Sequence, residues 1–435
     1  MIRILLEDIP PIGSTCLIVA ADSPRSFSPA GERIRHIALA SESTFGQAIV
    51  LAVGSGVEKA TEMAYPTFLL HEVRARAPYP INAYFDPIKF MLLSVYTSFL
   101  SLLYRPSYVL ASMPPCEVGV SACLAAKFLG IDLVVDLRDD WESWVERNLS
   151  RYIPERLLEV VFWLAHRVYS SATVVMVATP TIAEIAKRRG VETPTVLVCN
   201  GADTSVFFPR DEDSRKKMRA KHALPMDKTV VSYCGSGLNP YYRLDRVLSS
   251  IGSLPDDVKK RLFLVFYLYN GIDNVRKMKE ELGISDDLVA VRGPVSRDVL
   301  AEVMAACDVG LVPFDNEPSL LCARSAKLYE YLSAGLYVIA CGPKGGELDQ
   351  LFSLNPQLGT FCLPTRENLV SAFLRVVQDG AHLFDNRSKY LRHDFIRENY
   401  ERRAISRKAI RTIASSRVST STKTMHTNSE VRMWK

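Results

Sequence analysis

The 435-residue sequence has no CxxC pair and no Cys–His cluster at zinc spacing, which excludes the common structural metal frameworks. Its nine cysteines are odd in number and scattered, mostly in apolar runs such as VLVCN at Cys199 and VSYCG at Cys234. That pattern fits buried, reduced thiols and not a disulfide scaffold. The seven histidines form no ligand pattern. No GxGxxG follows the first apolar run; the loop there reads DSPRSFSPAGERIR, the wrong loop for a nicotinamide dinucleotide. No stripe of Lys and Arg interleaves with aromatics, and a net charge of +5 is small for this length, so no nucleic-acid partner is expected. No apolar run reaches the roughly 20 residues a membrane span needs. The most hydrophobic window, Phe90 to Tyr104, is shorter and contains Ser and Thr, as a buried or membrane-surface helix does. Acids and prolines interrupt the start, MIRILLEDIPP, so no signal peptide is expected; the expected location is cytoplasmic, or peripheral on the inner face of the membrane.

What is present is a regular alternation of short apolar runs with amphipathic segments, the pattern of α/β folds with parallel sheets. Predicted strands begin with Thr15–Ala21, Gln47–Val53, Thr67–His71, Tyr108–Ala111 and Asp132–Asp136, followed by Thr173–Ala178 and Pro194–Cys199. A second series follows the charged stretch Pro209–Lys221 and starts at Thr229. The length suits two such units. The expected domains are 1–208 and 209–389, with a helix over about 390–415 packing back onto the first. A disordered tail is expected over 416–435, which is Ser/Thr-rich and basic. Ligands of such sheets sit at the carboxyl ends of the strands.

The segment VGLVPFDNEPSLLCARSAKLYEYLSAGLYVIACG, from Val309, carries the sharpest chemistry. A strand ends at Pro313, and a helix starts near Ser325 and stops at Gly335. The free N–H groups of a helix start suit an anion. Arg324 and Lys327 add charge matched to a diphosphate, and Glu330 can accept hydrogen bonds from ribose hydroxyls. Arg138, Asp139, Asp140 and Trp141 form a second polar cluster, at the end of a fully apolar strand. A structural and acceptor-side role is expected for it.

Here the sequence resembles the retaining family 4 glycosyltransferases of the GT-B fold. KLYEYLSAGLYVIACG matches the branch of that family reading Lys-Leu-Phe-Glu-Tyr-x-x-Ala-Gly. LVCNGADTSVFFP, RGPVSRDVLAEVMAACDVGLVPF and VVDLRDDWES resemble further family elements in the same order. Together they span roughly Ala21 to Leu351. The resemblance implies two facing, doubly wound Rossmann-like domains with an interdomain cleft. It implies a hexosyl transfer from a nucleotide-sugar donor with retention, and no cofactor or metal. Glu330 would hold the donor ribose, and Gly293, Pro294 and Val295 would line the nucleobase. Ser325, Ala326 and Lys327 would surround the diphosphate or the sugar. Gly31, in a Pro29–Ala30–Gly31 turn, would approach the phosphates. The catalytic set is Arg243, Lys327 and Glu330.

Three departures from the family pattern stand out. Cys322 occupies the place of a second Glu. No His ends the fourth strand, where Ser112 is the polar residue left. Gly235 is kept, but Ser236 replaces a common Arg, and Arg243 lies near the expected Lys. These departures favour, as an alternative, a non-catalytic subunit that binds a nucleotide sugar or scaffolds an assembly. An epimerase would need a general acid and base that the sequence does not identify. The acceptor expected for a transferase is a glycan or a polyprenyl- or lipid-linked glycan in cell-surface polysaccharide synthesis. Phe85–Tyr104 and Leu157–Arg167 are apolar with basic ends, which suits peripheral contact with a membrane.

Overall fold

The computed structural model describes residues 15–24, 28–54, 66–71 and 86–415. The tail expected over 416–435 lies outside them. The chain forms two compact units, one up to Cys199 and again from Arg403, the other Asn200–Arg402.

In the first unit the order is β1 (Thr15–Ala20), α1 (Pro29–Phe45), β2 (Gln47–Gly54), β3 (Thr67–His71), α2 (Pro87–Tyr104), β4 (Tyr108–Met113) and α3 (Cys116–Leu129). Then follow β5 (Asp132–Leu137), α4 (Trp141–Leu149), α5 (Glu155–Ser171), β6 (Val174–Val177), α6 (Pro180–Arg188) and β7 (Thr195–Leu197). The seven strands pair in parallel as β3-β2-β1-β4-β5-β6-β7. Every residue of TCLIVA and YVLASM is buried. Strands covered by helices on both faces read as such unbroken apolar runs. A last helix, α17, over 402–415, sends Ala409, Ile410 and Ile413 into the core beside Ile18, Ile34 and Val50.

The second unit runs α7 (Glu212–Lys221), β8 (Thr229–Ser236), α8 (Leu244–Gly252), α9 (Asp256–Lys260), β9 (Leu262–Asn270), α10 (Ile272–Glu281), β10 (Val289–Arg292) and α11 (Arg297–Ala306). It continues with β11 (Val309–Pro313), α12 (Ala326–Ser333), β12 (Tyr337–Cys341), α13 (Glu347–Leu354), β13 (Gly359–Cys362), α14 (Arg366–Gln378), α15 (Gly380–Leu383) and α16 (Asn386–Asn399). Its sheet has the order β10-β9-β8-β11-β12-β13, all parallel. Winding reverses between β8 and β11, and that switch point is where open α/β sheets hold ligands.

Three expectations need correction. The junction lies at Cys199/Asn200, not 208/209, and the chain leaves the second unit at Arg402/Arg403, not near 390. The reason is local pairing. Ala202 N–H donates to Tyr400 O at 3.1 Å and Arg402 N–H to Ala202 O at 3.0 Å. Phe207 and Ile396 are then buried in the second unit's core. Finally, Pro29–Ala30–Gly31 is the first turn of α1 and not a turn between elements. Ser28 Oγ accepts from Gly31 N–H at 3.0 Å, and Pro29 takes a position whose missing N–H costs nothing.

Candidate functional site

The loops after β8 and β11 and the start of α12 build one site in the second unit. Tyr242 lies in the loop after β8, and its ring stacks on Phe314, just past β11, at 5.1 Å and 14°. Tyr233, on β8, meets Tyr242 edge-on at 5.8 Å. The Lys327 side chain enters from the first turn of α12 and places Nζ 3.7 Å from the Tyr242 ring centre and 4.2 Å from that of Tyr233. Lys327 is 8% exposed, and Nζ has no hydrogen-bond partner. Two aromatic faces attract a cation but do not replace its lost hydration. Burial therefore lowers the Lys327 pKa from 10.5 to about 7.

Gly235 leaves room for this ammonium, since a Cβ there would sit 2.6 Å from Nζ. Gly235→Ala is expected to push the Lys327 side chain aside and weaken anion binding several-fold, with little loss of stability. Titrating wild type and variant with a nucleotide sugar, alongside thermal melts, checks this. Ser236, which stands where an Arg was expected, accepts from the N–H groups of Leu238 and Asn239 and donates to Asn270 at 2.6 Å. It shapes the loop that carries Tyr242.

Helix α12 opens at Ser325, whose side chain makes no capping bond. Its hydroxyl pairs with Tyr242 OH at 3.2 Å. The first-turn N–H groups, at Ala326 and Lys327, have no carbonyl one turn back. Glu330 is the one half-exposed residue of α12; the others, Leu328 and Tyr329 among them, are buried. Gly335 ends the helix region with φ +86°.

The structure thus brings Gly235, Ser325, Ala326, Lys327 and Glu330 together. It does not leave the two arginines free for a diphosphate. Arg243 pairs with Asp245 at 2.6 Å and Asp315 at 3.0 Å, which raises its pKa further. Arg324 pairs with Glu347 at 2.6 Å and donates to Tyr400 OH at 3.2 Å. Gly293, Pro294 and Val295 lie in the loop after β10, two strands from β8, ahead of the Ser296 cap of α11. Cys322 is buried, its Sγ 3.6 Å from Ser319 O.

In the first unit, the acceptor-side candidates act mainly as structure. Ser112 Oγ donates to Asp136 Oδ2 at 3.2 Å, and Asp136 is bound bidentately by Arg33, with contacts of 2.6 and 2.9 Å. Arg33 also donates to Val198 O at 2.8 Å. Arg138 donates to the carbonyls of Met113 and Pro114, and Asp140 caps α4 and pairs with Arg189 at 2.8 Å. Trp141 Nε1–H donates to Tyr169 OH, which in turn donates to Glu142. Asp139 alone of the four is exposed. Among the described residues, no group of three or more His, Cys, Asp or Glu side chains is placed to hold a metal.

Sequence reasoning missed the Tyr233, Tyr242 and Phe314 rings. The signal available was Tyr241–Tyr242 in a polar loop after Asn239–Pro240; Tyr233 reads as ordinary strand core.

Residues 30–201 match the model of a glycosyl transferase 4-like domain. A D-inositol 3-phosphate glycosyltransferase of Stackebrandtia nassauensis is 34% identical over 136 residues, 29% of this chain and 30% of that relative's length. Among solved structures, sucrose-phosphate synthase from Thermosynechococcus elongatus superposes with a TM-score of 0.73 at 16% identity, covering 93% of this chain and 99% of its own. The Anabaena protein HepE, in complex with UDP and glucose, gives 0.67 at 15% identity, over 92% and 99%. At such identities the structures speak for the fold, which is GT-B, and residues 30–201 carry the likeness to a glycosyl transferase 4-like domain; the chain spans under a third of the length of the curated relative it matches.

Proposed function

We propose that this protein transfers a hexosyl group from a nucleotide sugar to a glycan or lipid-linked acceptor, with retention of the anomeric configuration. The C-terminal unit holds the donor. The setting is cell-surface polysaccharide or glycoconjugate synthesis at the cytoplasmic face of a membrane. The observation that carries this reading is Lys327, a buried amine whose Nζ has no hydrogen-bond partner, at the start of α12 beside the switch point of the sheet. Such a group calls for an anion. HepE, of like fold, was solved with UDP and glucose.

As the bond between the anomeric carbon and the diphosphate oxygen breaks, negative charge builds on the diphosphate. Lys327, the Ser325 hydroxyl and the first-turn N–H groups are fixed donors for that charge. Glu330 accepts from the ribose hydroxyls. Charge neutralisation is assigned to these groups alone, so the proposal uses no metal or cofactor. Acceptor recognition is assigned to the N-terminal unit around Asp139.

Incubation with a panel of nucleotide sugars, reading free nucleoside diphosphate and product, tests the reading. Glu330→Ala is expected to lower kcat/KM roughly ten- to a hundredfold, the worth of hydrogen bonds to a charged group. Turnover unaffected by the substitution would refute the assignment. A second reading, donor binding without transfer, is favoured by one observation: Arg243 and Arg324 are both held by acids. Tight donor binding with no turnover on any acceptor would select it.

A further inference from the structure

Helices α2, α3 and α5 lie side by side on the N-terminal unit. Ser94 of α2 donates to Ser121 of α3 at 3.1 Å, and Cys116 of α3 contacts the Val161 carbonyl of α5. Their outer sides are strongly apolar. Met91, Val95, Phe99 and Leu102 recur at helical spacing on α2, and Phe128 on α3 and Trp163 on α5 extend the face; all six are 55–85% exposed. Isolated exposed apolar residues are normal, but six large ones on three helices packed side by side point to an interaction surface.

We propose that this face docks on an anionic lipid bilayer. Charge selects that occupant. On the solvent side of the three helices and the α2 cap stand five cations, Lys89, Arg105, Lys127, Arg156 and Arg167, against two acids, Glu155 and Glu159. Arg167 lies over the Trp163 ring at 5.3 Å, an apolar body with a charged tip of the kind that settles at headgroup level. A second copy packed face to face would set these cations against their own equivalents. A crossing is excluded by the other side of α2. Against the expectation from the sequence, α2 as folded is by length and composition apolar enough to span, but Leu93, Thr97, Leu100, Ser101 and Tyr104 are buried in its own unit, so the helix lies along the domain.

The inference deepens the proposed acceptor class, since a lipid-linked acceptor lies in such a surface, but it is tested apart from it. Flotation of the full chain with vesicles needs neither donor nor turnover. Phosphatidylcholine vesicles with phosphatidylglycerol are expected to carry the wild type at low salt, and those without it to carry far less. Val95→Ser with Phe99→Ser and Trp163→Ser should weaken binding at least about tenfold, given the apolar area removed. Its Tm should be unchanged. Arg156→Gln with Arg167→Gln should reduce binding to the charged vesicles only. The proposal fails if the wild type stays unbound at low salt, or if the triple variant binds equally. It fails also if sedimentation finds a dimer that the triple variant dissociates, because a second copy then covers the face.

Discussion

Binding of a nucleotide sugar is expected to take up close to one proton near pH 8.5 and almost none near pH 5.5. The free protein holds Lys327 between Tyr233 and Tyr242 with its pKa lowered to about 7 by burial. Above that pH the amine is mostly neutral, and a bound diphosphate recharges it. The diphosphate diester of a nucleotide sugar titrates far below this range, so it adds no proton of its own. The other titratable groups that act on Lys327 are Cys234 and Glu330. Burial pushes the Cys234 thiol up to about 11, which keeps it protonated throughout. Calorimetry in buffers of different ionisation enthalpy reads the uptake directly, and affinity should fall as pH rises above 7.

Lys327→Met should abolish the uptake and cost about 2–5 kcal/mol of donor binding, roughly thirtyfold or more in Kd. The same substitution should stabilise the empty protein. A lysine pKa that is lower in the folded state means the unfolded chain binds the proton more tightly, so folding is penalised while the amine is charged. The variant should therefore melt higher than wild type below pH 7, and the gap should close as pH climbs from about 7 toward 10.5. A binding loss paired with a stability gain separates a functional lysine from a structural one.

The second large effect lies in the N-terminal unit. Asp136→Ala is expected to destabilise the protein by about 3–5 kcal/mol, because it strands the buried Arg33 guanidinium without its counter-charge. Ser112→Ala removes only the hydroxyl bond to the same carboxylate and should cost about 1 kcal/mol. Thermal and denaturant melts of both variants check the ordering. A near-neutral Asp136→Ala would mean that water reaches Arg33.

Much of this was legible in the sequence for a physical reason. Parallel strands buried on both faces leave unbroken apolar runs, so TCLIVA, VGLVP and YVIAC announce themselves, and Gly335 marks a helix end, whereas Pro29, the first residue of α1, reads as part of a turn. That the residues from Arg324 to Glu330 share one helix start was legible because they are contiguous. The ion pairs of Arg243 with Asp315 and of Arg324 with Glu347 were not legible, because those partners are distant along the chain. Ser112 and the Arg138–Trp141 cluster have the residue types of a reactive site, but their commitments to Asp136, Tyr169 and backbone carbonyls arise only on folding. The aromatic walls around Lys327 were hidden for the opposite reason, since a tyrosine in a buried strand looks like core. The outer face of α2 was half legible: composition gave its apolarity, and only packing reveals which side stays uncovered.

The central claim is that the C-terminal unit holds a nucleotide sugar with its diphosphate against Lys327 and its ribose on Glu330. Equilibrium thermal shift with UDP, GDP and ADP sugars tests it most directly. At least one donor should stabilise the wild type, by about 2.7 kcal/mol at a hundred times its Kd. The stabilisation should fall below about 1 kcal/mol in Lys327→Met and shrink in Glu330→Ala. Stabilisation by no donor, or stabilisation of equal size in both variants, would contradict the account.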